Sequence, residues 1–364
     1  MTKVFIHKSK KPRLPFDINH PTRFISNVET QMRIVSLGGH LLPMSINSEE
    51  YTSSYVCSPY TAFISYSREE LGKVKSPFLE MPLHWFIQGL GILLKWGQIN
   101  RIVCLNNWLL STNLYPHWEG EGIETTTSTF SKEYSSHGIL FRSINAHLNR
   151  NLITRLKKNG YRLMPIRQIY IFDPLLCDYT RKQNFRWDAR LLQQCKYRMV
   201  NAEDIVSEDY SRISELYNLL YIKKYSQNNP KFTSDYIKHC HLNGILELQG
   251  IRGDDGRLIG IVGSFDCGKV TTCPIVGYDT SISQKVGLYR MLMAMVMKRA
   301  AERGLILNLS AGAAHFKRIR GGKPFIEYIA LYDRHLPFRQ RLVWRLTALA
   351  LDNIALPILQ HYKL

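Results

Sequence analysis

The sequence predicts an α/β protein with a mixed sheet, arranged as two similar halves that each have a central, mostly antiparallel sheet flanked by helices. Short apolar or alternating runs bounded by glycine turns are typical of strands, and longer runs with one apolar side are typical of helices. The same order of helix, short strand and polar or small-residue turn occurs twice, at 82–96, 101–105 and 106–107, and again at 284–303, 305–309 and 310–312. Since no residue-level repeat accompanies this order, a tandem arrangement is inferred from topology alone.

The first half begins with a hairpin and continues with alternating elements. Gly38 and Gly39 separate runs 32–37 and 40–46, and two glycines accept the positive backbone angles of a tight turn. Further strands are predicted at 60–66, 101–105, 138–141 and 163–172, and helices at 82–96 and 145–159.

A polar, charged passage from 178 to 196 is expected to separate the two halves. Beyond it, strands are predicted at 197–201, 245–251, 258–265, 270–276 and 305–309, and helices at 210–225, 234–242 and 284–303. The expected organisation is a basic extended arm over 1–30, an N-terminal half over 31–178, a C-terminal domain over 179–336 and an amphipathic C-terminal helix over 337–364.

The charge of the chain favours an anionic partner, with a basic surface that has no specific partner as the alternative. Lys and Arg number 48 against 29 Asp and Glu, which gives a formal net charge of +19. Such an excess attracts RNA, the phosphates of coenzyme A, an acidic carrier protein or an anionic membrane surface, and charge alone does not choose among them.

Cysteine usage and hydropathy favour a cytoplasmic protein without a metal site. The seven cysteines are scattered, with no CxxC pair, so no structural zinc site is predicted. An odd number of cysteines in a large chain suggests free thiols in a reducing compartment. No secretory signal and no stretch of about 18 uncharged apolar residues is present, so no transmembrane segment is predicted.

The stretch 284–333 carries the most specific pattern. It runs from a helix through the strand LILNLS into a small-residue turn and the basic segment HFKRIRGGKP. Over 197–333 the order of elements resembles the GNAT acyltransferase fold, and LYRMLMAMVMKRAAERG–LILNLSAG–AAHFKRIRGGKP resembles more narrowly the Fem-type branch, whose members have two GNAT-like halves.

This resemblance implies an acyltransferase that carries an acyl group from a thioester, either acyl-CoA or an acyl carrier protein, to an amine by direct attack. The donor would be a co-substrate, with no tightly bound cofactor. One alternative is Fem-type aminoacyl transfer from aminoacyl-tRNA, which the positive charge suits. Another is a catalytically silent GNAT-like fold that binds RNA or an acidic partner protein.

Donor binding is expected at two places. GNAT enzymes hold the pyrophosphate of coenzyme A on a Q/R-x-x-G-x-G/A turn at a helix N-terminus; here Gln284 and Gly287 match, but Tyr289 replaces the last small residue. A bulky Tyr289 would obstruct close approach of a pyrophosphate. The second place is the basic turn, where Ser310 and Gly312 are candidates for donor contact, with turn formation as the alternative for Ser310.

The basic segment supplies three cationic candidates. By resemblance, Lys317 would stabilise the oxyanion of the tetrahedral intermediate or hold a donor phosphate, and a solvated lysine is the alternative. Arg318 and Arg320 are expected to contact an anion, or to be surface residues.

Proton transfer has three candidates. Asp279 and Tyr278 precede the long helix, and Glu247 lies on a central strand; a carboxylate or a tyrosine can move a proton during attack by an amine. A role for Asp279 at the helix N-cap, and simple solvent exposure for Glu247, remain open. By position alone, the end of the first helix of the second half, around Tyr225, is where GNAT folds shape the acceptor pocket.

Overall fold

The computed structural model describes residues 14–71 and 77–361, and within these ranges one continuous sheet contains all the strands listed here. The strands are β1 Gln31–Leu37, β2 His40–Asn47, β3 Ile102–Leu105, β4 Gly138–Asn145, β5 Arg162–Phe172, β6 Arg198–Val200, β7 Glu247–Arg252, β8 Leu258–Cys267, β9 Val270–Tyr278, β10 Ile306–Asn308 and β11 Lys323–Tyr332. Their order is β1-β2-β3-β4-β11-β5-β10-β9-β8-β7-β6.

Helices cover both faces of this sheet. They are α1 Pro21–Phe24, α2 Tyr66–Leu71, α3 Pro77–Trp96, α4 Ile123–Glu133, α5 Arg150–Lys158, α6 Gln183–Gln193, α7 Asp209–Tyr217, α8 Ser234–Leu242, α9 Leu288–Glu302, α10 Ala314–Arg318, α11 Phe338–Ala350 and α12 Leu356–His361. On β3, Ile102 and Cys104 belong to one hydrophobic cluster, and Val103 and Leu105 to another. Because side chains alternate along a strand, the two clusters lie on opposite faces of the sheet.

The two halves are joined by an exchange of strands. The last strand of the first half, β5, pairs with β10 of the second half, and β11 of the second half pairs with β4 of the first. β5 and β11 also pair with each other along most of their length. The predicted tandem α/β fold is confirmed, and the two halves share one sheet rather than having separate sheets.

The correspondence between the halves differs from the one that the sequence suggests. β3 is parallel to β4, and β9 is parallel to β10. The helices between these parallel pairs are α4 and α9, so α4, and not the helix at 82–96, is the counterpart of α9. Residues 48–71 and 77–101, largely helical, lie between β2 and β3; the sequence reveals the helix at 82–96 but not its place in the topology.

Four local expectations differ from the structure. The strand expected at 60–66 is helical: a π-helical turn, Thr61–Ser65, leads into α2. Its aromatic and β-branched residues favour a strand by propensity, but packing of Tyr60 and Ile64 in the core outweighs that preference. The helix expected from 145 begins at Arg150, because β4 continues to Asn145. The polar passage contains α6, and the basic turn contains the short α10.

Both terminal segments pack on the domains. Residues 1–13 of the expected arm lie outside the described residues, but Leu14 and Phe16 are buried and Ile25 forms a β-bridge to Phe232. At the other end, Trp344 of α11 is buried against the sheet. Among the described residues, no helix is long and apolar enough to span a bilayer.

Candidate functional site

A cleft opens where two parallel strands diverge. β9 pairs with β10 only over Val270–Thr272. Beyond this point the chain after β10 follows β5, with Leu309 N donating to Tyr170 O and Tyr170 N donating to Ser310 O, each at 3.0 Å. β9 instead bulges at residues 273–274. The resulting cleft encloses about 1120 Å³, including its part open to solvent.

Both halves line this cleft. The first half contributes Tyr55, Tyr66, Ser111, Thr112 and Arg167; the second contributes residues 217–225, β9, α9, the turn 309–313 and Lys317. Among the described lining residues six are tyrosines and none is a carboxylate. The described lining therefore combines tyrosines with small, polar and aliphatic side chains, and its charged members are the two cations Arg167 and Lys317.

The turn after β10 has a constrained backbone. Ser310 and Ala313 have positive φ values of 58° and 48°, and Gly312 has a φ of 77°. Residues with side chains adopt this region only at a cost in strain. Other contacts must therefore hold the turn in place.

Lys317 supplies these contacts. Its Nζ donates to the carbonyl oxygens of Leu309 at 2.7 Å, Ser310 at 3.3 Å and Ala311 at 2.8 Å. Burial lowers the pKa of Lys317 to about 7, and Arg167 acts in the same direction. The three N–H groups of the ammonium match the three carbonyls, so Lys317 fixes the turn that forms one wall of the cleft.

Arg167, the second cation, was not singled out by the sequence pattern. It lies on β5 and its Nε donates to Glu327 Oε1 at 2.7 Å, while Nη2 donates to Ser111 O at 2.6 Å. Burial acts to lower the pKa of Arg167, but Glu327 more than offsets this and raises it. A signal for this pair exists in the sequence: each is a charge in the middle of a largely apolar strand whose other charged residue is at its first position, RLMPIRQIYIF and KPFIEYIALY.

Stacked tyrosines form the other wall. The rings of Tyr217 and Tyr221 stack with centroids 4.9 Å apart, and Tyr225 follows at 5.9 Å with its side chain exposed. Burial raises the pKa of Tyr217 and Tyr221 well above the ordinary tyrosine value. These phenols are therefore neutral near pH 7 and present apolar faces. The expected involvement of Tyr225 agrees with its place in the lining.

Asp279 and Tyr278 do not line the cleft. The carboxylate of Asp279 pairs with Arg212 at 2.6 Å and accepts from the hydroxyl of Ser281. These contacts, the hydrogen bonds from Ser281 first, lower the pKa of Asp279. The ring of Tyr278 lies 6.3 Å from that of Tyr289, and only Tyr289 lines the cleft.

Glu247 is also away from the cleft. It accepts from Arg299 at 2.9 Å and from Arg303 at 2.8 Å, and Asp266 shares Arg299. Burial raises the pKa of Glu247, but the contacts with the arginines outweigh it, so the net shift is downward. The cluster joins β7, β8 and α9.

A leucine of the neighbouring helix α6 packs against the glycine at the start of α9. Gly287 has a φ of 77°, and a Cβ built there would lie 2.7 Å from Cδ2 of Leu191 on α6. Gln284 is exposed in the turn before α9. Leu191 thus occupies the space into which a side chain at position 287 would project.

Asp188 on α6 forms ion pairs with two nearby arginines. Arg320 and Arg290 both donate to its carboxylate, and Arg320 lies over the ring of Phe316 with its Cζ 3.5 Å from the centroid. Arg320 is buried, Arg318 half-buried and Gly312 exposed. Of the basic segment, therefore, only Lys317 reaches the lining of the cleft.

Residues 181–318 match a family model described as an acetyltransferase (GNAT) domain. No curated protein matches the chain.

Solved structures resemble it at low sequence identity. One is the C-terminal domain of a putative lysylphosphatidylglycerol synthetase from Agrobacterium fabrum, at 14% identity over 64% of this chain and 80% of that one, with a TM-score of 0.45. A second, L-PGS from Bacillus licheniformis, is 14% identical over 63% and 79% of the two chains, with a TM-score of 0.46. FemX is 10% identical over 62% and 78%, with a TM-score of 0.46.

Proposed function

We propose that this protein transfers an acyl group from a thioester donor, acyl-CoA or an acyl carrier protein, to an amine; the match of residues 181–318 to a GNAT acetyltransferase family model supports this. The reaction is a direct attack within the cleft, with no covalent enzyme intermediate. The observation that supports this most strongly is the divergence of β9 from β10. It leaves one edge of β9 facing the turn 309–313 across the cleft.

The donor lies along that edge. Past Thr272, the β9 edge is no longer paired with β10. An extended chain containing amides can pair with such an edge in the manner of an added strand. The thioester carbonyl then lies beside the turn 309–313, where the amides of residues 311–313 polarise it; the amides of Leu309 and Ser310 already donate to Tyr170 O and to Asn308 Oδ1. Lys317 acts as a positioning residue, because its ammonium holds the three carbonyls that fix the turn.

The acceptor amine attacks in its neutral form. An aromatic lining without carboxylates disfavours the ammonium form, so burial in the cleft lowers the pKa of the amine. The amine nitrogen forms the new C–N bond, the C–S bond breaks, and the departing thiolate takes up a proton. Tyr289 donates that proton: it lines the cleft, and burial raises its pKa, which keeps the phenol protonated.

Tyr289 therefore takes the role that the sequence suggested for Tyr278. Water carries the proton lost by the amine nitrogen back to the Tyr289 phenolate, which restores the phenol, and Asp279 and Glu247 serve in structural ion pairs.

A second donor, aminoacyl-tRNA, is favoured by one specific contact. Leu191 fills the space beside Gly287, where coenzyme A would place its pyrophosphate. A donor whose reactive ester enters the cleft directly does not need that space. The formal charge of +19 suits an RNA donor.

Donor identity is tested by binding and turnover of the full chain. Acetyl-CoA at millimolar concentration is expected to raise Tm by mass action, and Lys317→Met to abolish the shift. Lys298→Met, a change of an exposed lysine on α9, is the matched control. If aminoacyl-tRNA but not acetyl-CoA binds and is deacylated in the presence of amines, the second donor is correct. If acetyl-CoA, an acyl carrier protein and aminoacyl-tRNA all fail to bind the wild-type chain, both proposals fail.

A further inference from the structure

Among the side chains of helix α3 that the structure describes, apolar residues lie on two faces, one buried in the core and one exposed. Ile87 and Leu94 are buried. On the other side, Trp85, Ile92 and Trp96 are 67%, 68% and 49% exposed. Their spacing of seven and four residues places them on one stripe of the helix, with Gly89 between Trp85 and Ile92. An exposed stripe of two tryptophans and an isoleucine is not needed for folding.

Helix α11 repeats this arrangement. Val343, Trp344 and Ala348 face the core. Phe338, Leu346 and Leu349 lie on the outer side, Phe338 with 70% of its side chain exposed. Three arginines, Arg339, Arg341 and Arg345, are exposed on the same helix, which contains no acidic residue.

The two exposed stripes lie on the same side of the molecule. The buried faces of α3 and α11 belong to one hydrophobic cluster on one face of the sheet. The helices are adjacent, since Val343 packs against Gly97 and Arg339 Cζ lies 5.7 Å from the ring centroid of Trp96. Both outer stripes therefore point away from the sheet, and together they form the α3–α11 surface.

We propose that the α3–α11 surface docks on the surface of a lipid bilayer that contains anionic headgroups. Tryptophan, phenylalanine and leucine beside arginine are the composition of helices that lie in a membrane interface. The apolar side chains enter the boundary of headgroups and acyl chains, and Arg341 and Arg345 contact lipid phosphates. The strongly positive chain adds long-range attraction to such a surface. The helices lie on the bilayer and do not span it.

Charge argues against a second copy of the chain as the occupant. A two-fold interface places the same patch on both partners. It would bring Arg339, Arg341 and Arg345 of each copy towards those of the other, with no acidic residue on α11 to compensate. Anionic headgroups complement the same arginines.

Vesicle flotation tests this proposal with the full chain. The wild type is expected to float with vesicles of equimolar phosphatidylcholine and phosphatidylglycerol, to stay unbound with phosphatidylcholine alone, and to release partly at high salt. Trp85→Ala/Trp96→Ala should weaken binding about tenfold or more. Arg341→Gln/Arg345→Gln should weaken it and reduce its dependence on salt.

Helix α6 provides matched controls. Trp187, Arg186 and Arg190 are exposed there, Trp187 at 47%, and α6 packs on a different hydrophobic cluster. Trp187→Ala and Arg186→Gln/Arg190→Gln should bind vesicles as the wild type does. Circular dichroism establishes that each variant is folded, which is expected because every substituted side chain is exposed.

Three results would overturn the proposal. The first is absence of flotation with phosphatidylglycerol, and the second is equal flotation of the α3 variant and the wild type. The third is a dimer in sedimentation that Trp85→Ala/Trp96→Ala converts to monomer, since this would assign the surface to a second copy. None of these outcomes depends on the donor or on turnover, so they are distinct from failure of the proposed transferase activity.

Discussion

Arg167 and Glu327 form an ion pair of 2.7 Å between the two strands that the halves exchange. Arg167 lies on β5 of the first half, Glu327 lies on β11 of the second, and the two residues are directly opposite in the strand register. Glu327 is fully buried, and Arg167 also lines the cleft. The pair therefore links the junction of the halves to the wall of the candidate site.

Removing Glu327 should strongly destabilise the protein. Glu327→Ala leaves a buried guanidinium without its partner, which costs about 3–5 kcal/mol in the free energy of unfolding. Glu327→Gln retains an acceptor and should cost less. Urea unfolding measures the effect, with Glu302→Gln as the control because Glu302 forms an exposed pair with Lys298. Equal urea midpoints for Glu327→Ala and Glu302→Gln would show that the buried pair does not contribute strongly to the free energy of unfolding.

Lys317→Met should loosen the turn 309–313 and reduce stability. The substitution removes three charge-assisted hydrogen bonds to carbonyl oxygens, and we expect a loss of about 2–3 kcal/mol. Hydrogen exchange of the peptide covering 309–313 should become faster. Lys298→Met serves as the exposed control. Unchanged exchange in the turn would contradict the assignment of Lys317 as the residue that orders it.

Gly287→Ala should be more harmful than Gly304→Ala. Both glycines have a positive φ, 77° and 62°, so alanine is strained at either position by about 1 kcal/mol. Only at 287 does the added Cβ meet another side chain, Leu191 Cδ2 at 2.7 Å, whereas the space at 304 is open. Thermal unfolding of the single variants measures the difference. Adding Leu191→Ala to Gly287→Ala should relieve the clash but not the backbone strain.

The two single substitutions each lower Tm by some amount. If the Tm of the double variant is no higher than the sum of these two decreases predicts, Leu191 does not close the space beside Gly287. The single variant Leu191→Ala tests the pyrophosphate site proposed at the start of α9: if Leu191 excludes the pyrophosphate, this substitution should increase affinity for coenzyme A.

The Arg299 cluster should make stability depend on acid pH. The arginine contacts give Glu247 and Asp266 pKa values below their ordinary 4.5 and 3.8, although burial acts in the opposite direction. The unfolded chain therefore takes up protons first as pH falls. The stability from these carboxylates is present above the ordinary pKa values and is lost as pH falls through the lowered ones.

Measurement of Tm between about pH 5 and pH 3 tests this linkage. Arg299→Met should lower Tm near neutral pH and give a shallower decline in acid than the wild type shows. Lys298→Met, which removes only an exposed partner of Glu302, should leave the slope as it is. Parallel slopes for Arg299→Met and the wild type would contradict the role given to Arg299.

The long helix, the strand after it and the small-residue turn were predictable because local pattern determines them. Apolar spacing identifies α9, Gly304 ends it, and the apolar run 305–309 contains β10. The strand predicted at 60–66 was wrong, because aromatic and β-branched residues favour strands by propensity while tertiary packing makes this segment helical. The exchange of β5 and β11 has no local signal, because strand pairing depends on contacts between residues distant in sequence.

For the site, the sequence by itself determined the type of domain, the neighbourhood of Lys317 and the replacement at Tyr289. Only the tertiary structure decided what these residues do. Asp279 and Glu247 look alike as candidate bases in a sequence, but each is held by arginines from other elements. Lys317 looks like a free cation until three carbonyls are found around its Nζ. The physical reason is that residue type fixes which bonds a side chain can make, whereas the fold fixes which partners come within reach to make them.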